Sequence, residues 1–443
     1  MMNRAITRIS IVGGALLLIG GCGGSSGGGS GSAGSGSGGS NNNSSTTVTF
    51  AISGGTPTAV ATRVGSGSFT PATPVSGAVT LSLPSGTTNF AVAFVCPAVT
   101  SPSQQTYEYV YEASTLDGTS FSEACPATSS TGSSGFTTGT LTGSVDASAI
   151  PGVSYLNIDA LNGTAETTVI LGTPSGNFSF AAPVGSDDVQ VLAYSSVLSG
   201  SAQTVSLVAA KVLTCQSVPG AVNGGSTVVL GTADQPAEEP ITYSSVPSGY
   251  GAPTTIVTYE KGNGGVIRLA SGITSQYPLL PAGALTSGGY YSLLASAIKS
   301  GTSSSEETLI ASNTTSPGPQ SFTFPPEWSY AGPVAATWPS FDLSYAGFSG
   351  KTGVLVEGSI YWSPTSNAQN LLQVAATQNF LTGSTTLATP DLTSVTGFLP
   401  APSSGIHVAW SAAILQGSFP LLQKMPSNGT YAAVSNFGSY MAP

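Results

Sequence analysis

The chain has 443 residues, of which 57 are Gly and 30 are Pro, and only 6% are charged, against an ordinary ~25%. Nine Lys and Arg stand against nineteen Asp and Glu, for a formal net charge of −10, and no basic patch is available to a phosphate backbone, which excludes nucleic acid as a partner. So little charge also limits self-repulsion as pH changes, which suits an exposed and even an acidic environment.

The first element in chain order is an export signal. Arg4 and Arg8 give a positive start, and an apolar run extends from Ile9 to Ile19. That run is too short to cross a ~30 Å hydrocarbon layer as a helix. It ends in Ile19-Gly20-Gly21-Cys22, and the Cys opens a Gly/Ser tract. This arrangement resembles a bacterial lipoprotein signal, although Ile19 and Gly20 stand where Leu and Ala, Ser or Thr are commoner. The resemblance implies removal of residues 1–21 and diacylglycerol transfer to the Cys22 thiol. Further acylation, of the palmitate kind, would then hold the protein on a membrane. Gly23 in place of Asp is compatible with onward transport to the outer membrane. The alternative is an ordinary secretory signal with an incidental cysteine.

Residues 22–46 form a Gly/Ser/Asn tether. Its side chains offer no apolar area to offset ordering entropy, so it is predicted to be disordered. It would reach roughly 25–30 Å on average and ~80 Å when taut.

The remaining residues predict an all-β body. Val, Thr, Tyr and Phe recur in short alternating runs and helix formers are scarce. Its length suits three or four domains. Pro84-Ser85-Gly86 precedes Phe90, Val92 and Phe94; Pro183-Val184-Gly185 precedes Val189, Val191 and Ala193 at the same offsets. Pro400 precedes Ile406, Val408 and Trp410, with Gly displaced to 405. A looser copy is Pro281-Ala282-Gly283, before Tyr291 to Ala295. Second strands follow at Gln105 to Glu112, Gln203 to Lys211 and Glu306 to Ala311. Successive prolines lie 99, 98 and 119 residues apart. Pro fixes φ, Gly takes a positive-φ turn position, and a period-two strand begins. Regular spacing favours tandem domains, divided here as 47–138, 139–235, 236–318 and an aromatic-rich 319–443.

The "strand, Pro-x-Gly, strand" phrases Val79–Gly86 and Phe178–Gly185 resemble the signature of carboxypeptidase-regulatory-like and Cna-B-like domains. That likeness implies tandem antiparallel β-sandwiches of the Ig-like, prealbumin-like kind, which serve as spacers, adhesin stalks or binding modules. The isopeptide chemistry of that family needs an early-strand Lys. The first domain has no Lys, so that chemistry is not carried over.

With Cys22 set aside, three cysteines remain. Cys96 and Cys125 flank a Ser/Thr-rich loop within the first predicted domain and are expected to pair. Cys215 is then odd, a buried thiol; a Cys125–Cys215 pairing is left open.

The last segment holds all four tryptophans. Trp410 shares a strand face with Ile406 and Val408, and Trp362 closes the run Val354 to Tyr361, so both are expected in the core. Trp328, Tyr330 and Trp338 sit among prolines, where loops are expected. There they are either candidate ligand-binding residues, stacking on a glycan or gripping another envelope protein, or aromatics plugging a sandwich end.

Catalytic constellations are thin. His407 is the only histidine; a triad would need it with Asp391, yet alternation sets it opposite the apolar face and no nucleophile elbow is present. Ser296-Ala-Ile-Lys299 and Lys351-Thr-Gly353 match pieces of the penicillin-binding set, but the first reads as a strand. Asp187-Asp188 and Glu238-Glu239 are adjacent carboxylates in turn-like contexts, unsuited to a glycosidase pair. Asn157, Asp159 and Asn162-Gly163 lack the spacing of a calcium loop. No metal, cofactor or catalytic activity is expected. The sequence reads as a lipid-anchored, surface-displayed structural or adhesive protein, with a glycan- or protein-binding module as the alternative and a hydrolase third.

Overall fold

In the computed structural model, alternation and Pro-x-Gly turns build two-layered units, three of seven strands and, among the described residues, a fourth of six. The structure describes residues 45–99, 104–126, 138–160, 167–183, 185–199, 202–217, 227–261, 266–301, 304–349, 351–418 and 425–443. Cys22, the signal and nearly all of the tether lie outside these. The first unit comprises β1 (Thr46–Ser53), β2 (Ala59–Val64), β3 (Thr70–Pro71), β4 (Ala78–Leu83), β5 (Asn89–Val95), β6 (Gln104–Ser114) and β7 (Ser120–Ala124). The second comprises β8 (Thr138–Asp146), β9 (Tyr155–Ala160), β10 (Thr167–Leu171), β11 (Ser175–Pro183), β12 (Gly185–Ser199), β13 (Ala202–Ser217) and β14 (Thr227–Val229). The third comprises β15 (Glu238–Ser244), β16 (Thr254–Glu260), β17 (Val266–Ile273), β18 (Gln276–Pro278), β19 (Tyr290–Ser300), β20 (Ser304–Thr314) and β21 (Gln320–Thr323). The fourth comprises β22 (Ser340–Asp342), β23 (Val354–Thr365), β24 (Ala368–Thr377), β25 (Thr386–Ala388), β26 (His407–Gly417) and β27 (Thr430–Met441), with one short helix, α1 (Gln378–Leu381).

The pairing repeats strand for strand. In each of the first three units the first strand pairs antiparallel with the fourth and parallel with the seventh. The third, second, fifth and sixth strands form the facing layer in that order. The fourth unit repeats both patterns, but among the described residues no strand stands in its seventh place. Because β21 pairs with β15, the third unit runs to 323, past the division drawn at 318.

The Pro-x-Gly phrases lie between cover and facing layers, although Gly283 sits in a 3-10 turn (Ala282–Ala284) without the positive φ expected of it. In the first unit β4 ends, Gly86 takes φ +82°, and β5 enters the facing sheet. Period two then aims Phe90, Val92 and Phe94 at Val48, Phe50, Ile52, Val79, Leu81 and Leu83, all buried. The predicted second strands are β6, β13 and β20, each a hairpin partner of the strand after the turn.

The four facing layers fuse into one sheet of 16 strands, in the unit order second, third, fourth, first. At ~4.8 Å per strand this spans roughly 70 Å across. β13 meets β17 through two residue pairs only, Val205↔Ser271 and Ser206↔Ala270. β20 meets β27 antiparallel from Ser304↔Gly438 to Ser312↔Thr430. β24 meets β6 in parallel from Ala368↔Gln104 to Ala376↔Glu112. The third and fourth units' cores lie on one face of this sheet, along Ala297, Thr308, Val434 and Ile414, and the first unit's on the other: on β20, Leu309 joins the first unit's core while Ile310 packs on the third's.

Candidate ligand platform

The aromatic residues singled out in the last segment do come together, with their rings turned inward. Trp328, 4% exposed, stacks on Tyr330 at 4.9 Å, and Tyr330 meets Trp410 edge-on at 5.6 Å. Trp338 is half-buried against the same core. The backbone here is loop, as Pro dictates. Its burial follows from where it lies in the unit. In the first unit β7 lies over β5 and β6, Phe121 packing on Phe90 at 5.4 Å. In the fourth, residues 325–339 lie over the equivalent β26 and β27. Asn436 Nδ2 donates to the Trp328 carbonyl (2.8 Å) and the Tyr440 hydroxyl to that of Ala336 (2.9 Å). Gly332 lies so close to the Trp410 ring that a Cβ would stand 2.6 Å from it. Trp362 and Trp410 are core, at 1% and 5% exposure.

Cys96 and Cys125 form the expected disulfide, Cα–Cα 5.4 Å, tying the residue after β5 to the residue after β7 across the two layers; Cys125 is therefore not paired with Cys215. Cys215 lies on β13 opposite Asp187. Two contexts read as turns are strands: Asp187 and Asp188 lie in β12, and Glu238 and Glu239 open β15. Ladder pairing outweighs the low strand propensity of these acids. Glu238 and Glu239, as neighbours on a strand, point to opposite faces. Asn157 and Asp159 lie on β9, and Asn162-Gly163 falls outside the described residues. Among the described residues no group of three His, Cys, Asp or Glu is placed to hold a metal.

The penicillin-binding match dissolves on a strand. Ser296 bonds the Glu307 carboxylate on one face of β19. Lys299, three residues on, points to the other face and pairs with Glu327 (2.5 Å) and Glu306 (3.4 Å). His407 is exposed, while Asp391 is held by the Thr393 amide and hydroxyl (3.0 and 2.6 Å), beside the core residue Leu392 on the far side of β26.

What sequence reading missed is the outer face of the fourth unit's sheet. Its own cover packs on the other side, so these strands present their remaining side chains away from it. Tyr107, Leu371, Tyr361 and Ala409 stand opposite one another on successive strands. That places the two tyrosines ~10 Å apart. The Tyr107 hydroxyl donates to Gln105 Oε1 (2.5 Å), and Gln105 Nε2 donates to Gln369 Oε1 (2.9 Å). Beside them lies a shallow concavity of about 410 Å³ lined by Tyr361, Trp362, Ser363, Ile406, His407 and Ala409. The Tyr361 hydroxyl has no hydrogen-bond partner among the described residues. Burial, and then Tyr107, push its pKa upward. Aromatic faces beside planar amides are the chemistry that grips sugar rings. Only strand pairing 264 residues apart brings Gln105 to Gln369, so no sequence signal marks this surface.

Further along the same face lie carboxylates in partial burial. Burial, and then the Glu123 charge, push Glu357 up to about 7. Burial pushes Glu307 up to about 7 against its Ser296 bond. Glu123 is also raised by burial, although the Tyr111 hydroxyl (2.6 Å) and the Ala124 amide (2.9 Å) donate to it. On the opposite face Glu108, 1% exposed, is pushed up to about 7 by burial while it accepts from the Leu399 amide (2.8 Å).

No family model matches the chain and no curated protein matches it. Among solved structures it is similar to a candidate adhesin of Bacteroides ovatus, at 10% identity and a TM-score of 0.16, over 44% of this chain and 95% of that one. It is also similar to the pilus adhesin SpaC of Lactobacillus rhamnosus GG in its open conformation, at 9% identity and a TM-score of 0.14, over 75% of this chain. The match spans 44% of the length of SpaC. At these scores the likeness lies in β-rich content and stops short of a shared arrangement.

Proposed function

We propose that this is a lipid-tethered cell-envelope protein, displayed at the surface, with a structural and adhesive role and no catalysis. Its body is read as four prealbumin-type sandwiches, the kind the Pro-x-Gly phrases resemble. The observation that carries the reading is the single fused sheet. Flexible strings of domains are joined by linkers, whereas here ladder pairing runs through the joins and makes the units continuous through one sheet. The unit bearing the tether stands at one end of that sheet and the second unit at the other.

The test is direct. Intact-mass analysis of native protein shows Cys22 as the acylated N-terminus, and Cys22→Ala abolishes palmitate incorporation and moves the protein out of the membrane fraction. An unacylated residue 22 sinks the placement and the role with it.

A second reading, binding of glycan, is favoured by the Tyr361–His407 concavity. Tyr361→Ala and His407→Ala would then lose array binding with an unchanged unfolding midpoint. Should Trp328→Ala and Trp338→Ala lose binding instead, while remaining folded, the site lies with the proline-flanked aromatics.

A further inference from the structure

The fused sheet has two ends, and they are finished differently. Strands in the third place of each unit are natural edges. That of the third unit, β17, is met by β13, and that of the fourth, β24, is met by β6. That of the first, β3, is two residues long and includes Pro71, which cannot donate to a ladder and blunts that end. The remaining one, β10, pairs with β9 on one side, and among the described residues no strand pairs with its other side. Its five residues, Thr167-Thr-Val-Ile-Leu171, include no charge, Pro or Gly. Natural sheets rarely leave such an edge bare.

We propose that β10 is a self-association edge, pairing antiparallel with β10 of a second copy of this chain. The geometry already exists within the molecule. β20 and β27 hold the same sixth place in the third and fourth units and pair antiparallel, edge to edge, an internal two-fold join of equivalent strands. A β10–β10 join continues the same sheet by the same operation, and its uncharged sequence sets no like charges opposite one another. Because the second unit stands farthest from the tethered first unit, two molecules on facing surfaces would meet tip to tip. Only this last step rests on the surface-display reading; the pairing does not.

The experiment uses the full chain carrying Cys22→Ala and Cys215→Ser, which removes lipid and stray thiol. Sedimentation at increasing micromolar concentration is expected to show mass doubling. Alternate strand residues aim their amides outward, so of Thr168→Pro and Val169→Pro, made separately, at least one removes a ladder donor and returns the protein to monomer. Single cysteines at Thr168, Val169 and Ile170 are expected to give a disulfide-linked dimer at the position nearest the two-fold axis. This keeps the test decisive if a proline variant fails to fold. A chain that stays monomeric and gives no cross-link overturns the proposal, as does a dimer that survives both prolines. The lipidated chain on phosphatidylcholine vesicles is expected to cluster them; dimers in solution without clustering overturn the tip-to-tip arrangement. Failure of pairing leaves the Cys22 tests standing.

Discussion

Raising the pH from 5 to 8 should destabilise this protein, the reverse of ordinary acid denaturation. Glu108, Glu307 and Glu357 are each held at about 7 by burial, above an ordinary 4.5. A carboxyl whose folded pKa is raised binds its proton more tightly in the fold. Its contribution is full below the unfolded value and is lost as pH rises through the folded one. At 1.36 kcal/mol per pKa unit, the loss between pH 5 and 8 is about 2.5 kcal/mol for each such glutamate. Asp146, Asp342, Asp391 and Glu327 are shifted down, by hydroxyl and amide donors or by Lys299. They lose stability only below their ordinary values, outside the window. The raised tyrosines and Lys299 act above it. Urea unfolding followed by tryptophan fluorescence at pH 5, 6, 7 and 8 should show a falling midpoint. Glu108→Gln keeps an acceptor for the Leu399 amide without the charge, and should remove about 2.5 kcal/mol of that fall. A midpoint that is flat or rises with pH, or an unaltered slope in Glu108→Gln, would refute the burial argument.

Two structural predictions follow from the same geometry. Reduction of the Cys96–Cys125 bridge, which joins residues 29 apart, should lower unfolding free energy by about 3–4 kcal/mol, largely by freeing the unfolded chain; Cys96→Ser with Cys125→Ser should match it, and a loss below ~1 kcal/mol would contradict this. On β23, a Cβ at Gly358 would stand 2.4 Å from the Phe341 ring, so Gly358→Ala should cost about 1–3 kcal/mol by overpacking. Phe341→Leu in the same background should restore part of the loss, and a double variant no better than the single would count against the contact.

Much of each unit was legible because one residue's environment is set by near neighbours. Alternation placed Phe90, Val92 and Phe94 on one face, and the prolines marked the layer crossings. Trp410 and Trp362 could be assigned to the core from their own strands. The joins were not legible, since backbone amides and carbonyls make them and any side chain is compatible with them. Trp328 shows the consequence. Its proline neighbours correctly gave a loop, but whether that loop faces water or core depends on what lies over the fifth and sixth strands, β7 in the first unit and this loop in the fourth. Asp187 and Asp188 failed for a related reason, a strand imposed by a partner rather than by propensity.

The joins also explain the composition. Exposed edges are ordinarily defended by Lys, by inward charges or by Pro, and this chain has 6% charged residues to spend on that defence. Pairing one unit's edge with the next covers three pairs of edges by ladder hydrogen bonds, even where those strands carry Glu108, Glu112, Glu306 and Glu307. Pro71 and brevity handle a fourth site at β3. Of the fused sheet's own two ends, that leaves β10. β10 carries neither charge nor proline, and among the described residues no strand pairs with its outer side, which is the side the proposed β10–β10 join uses.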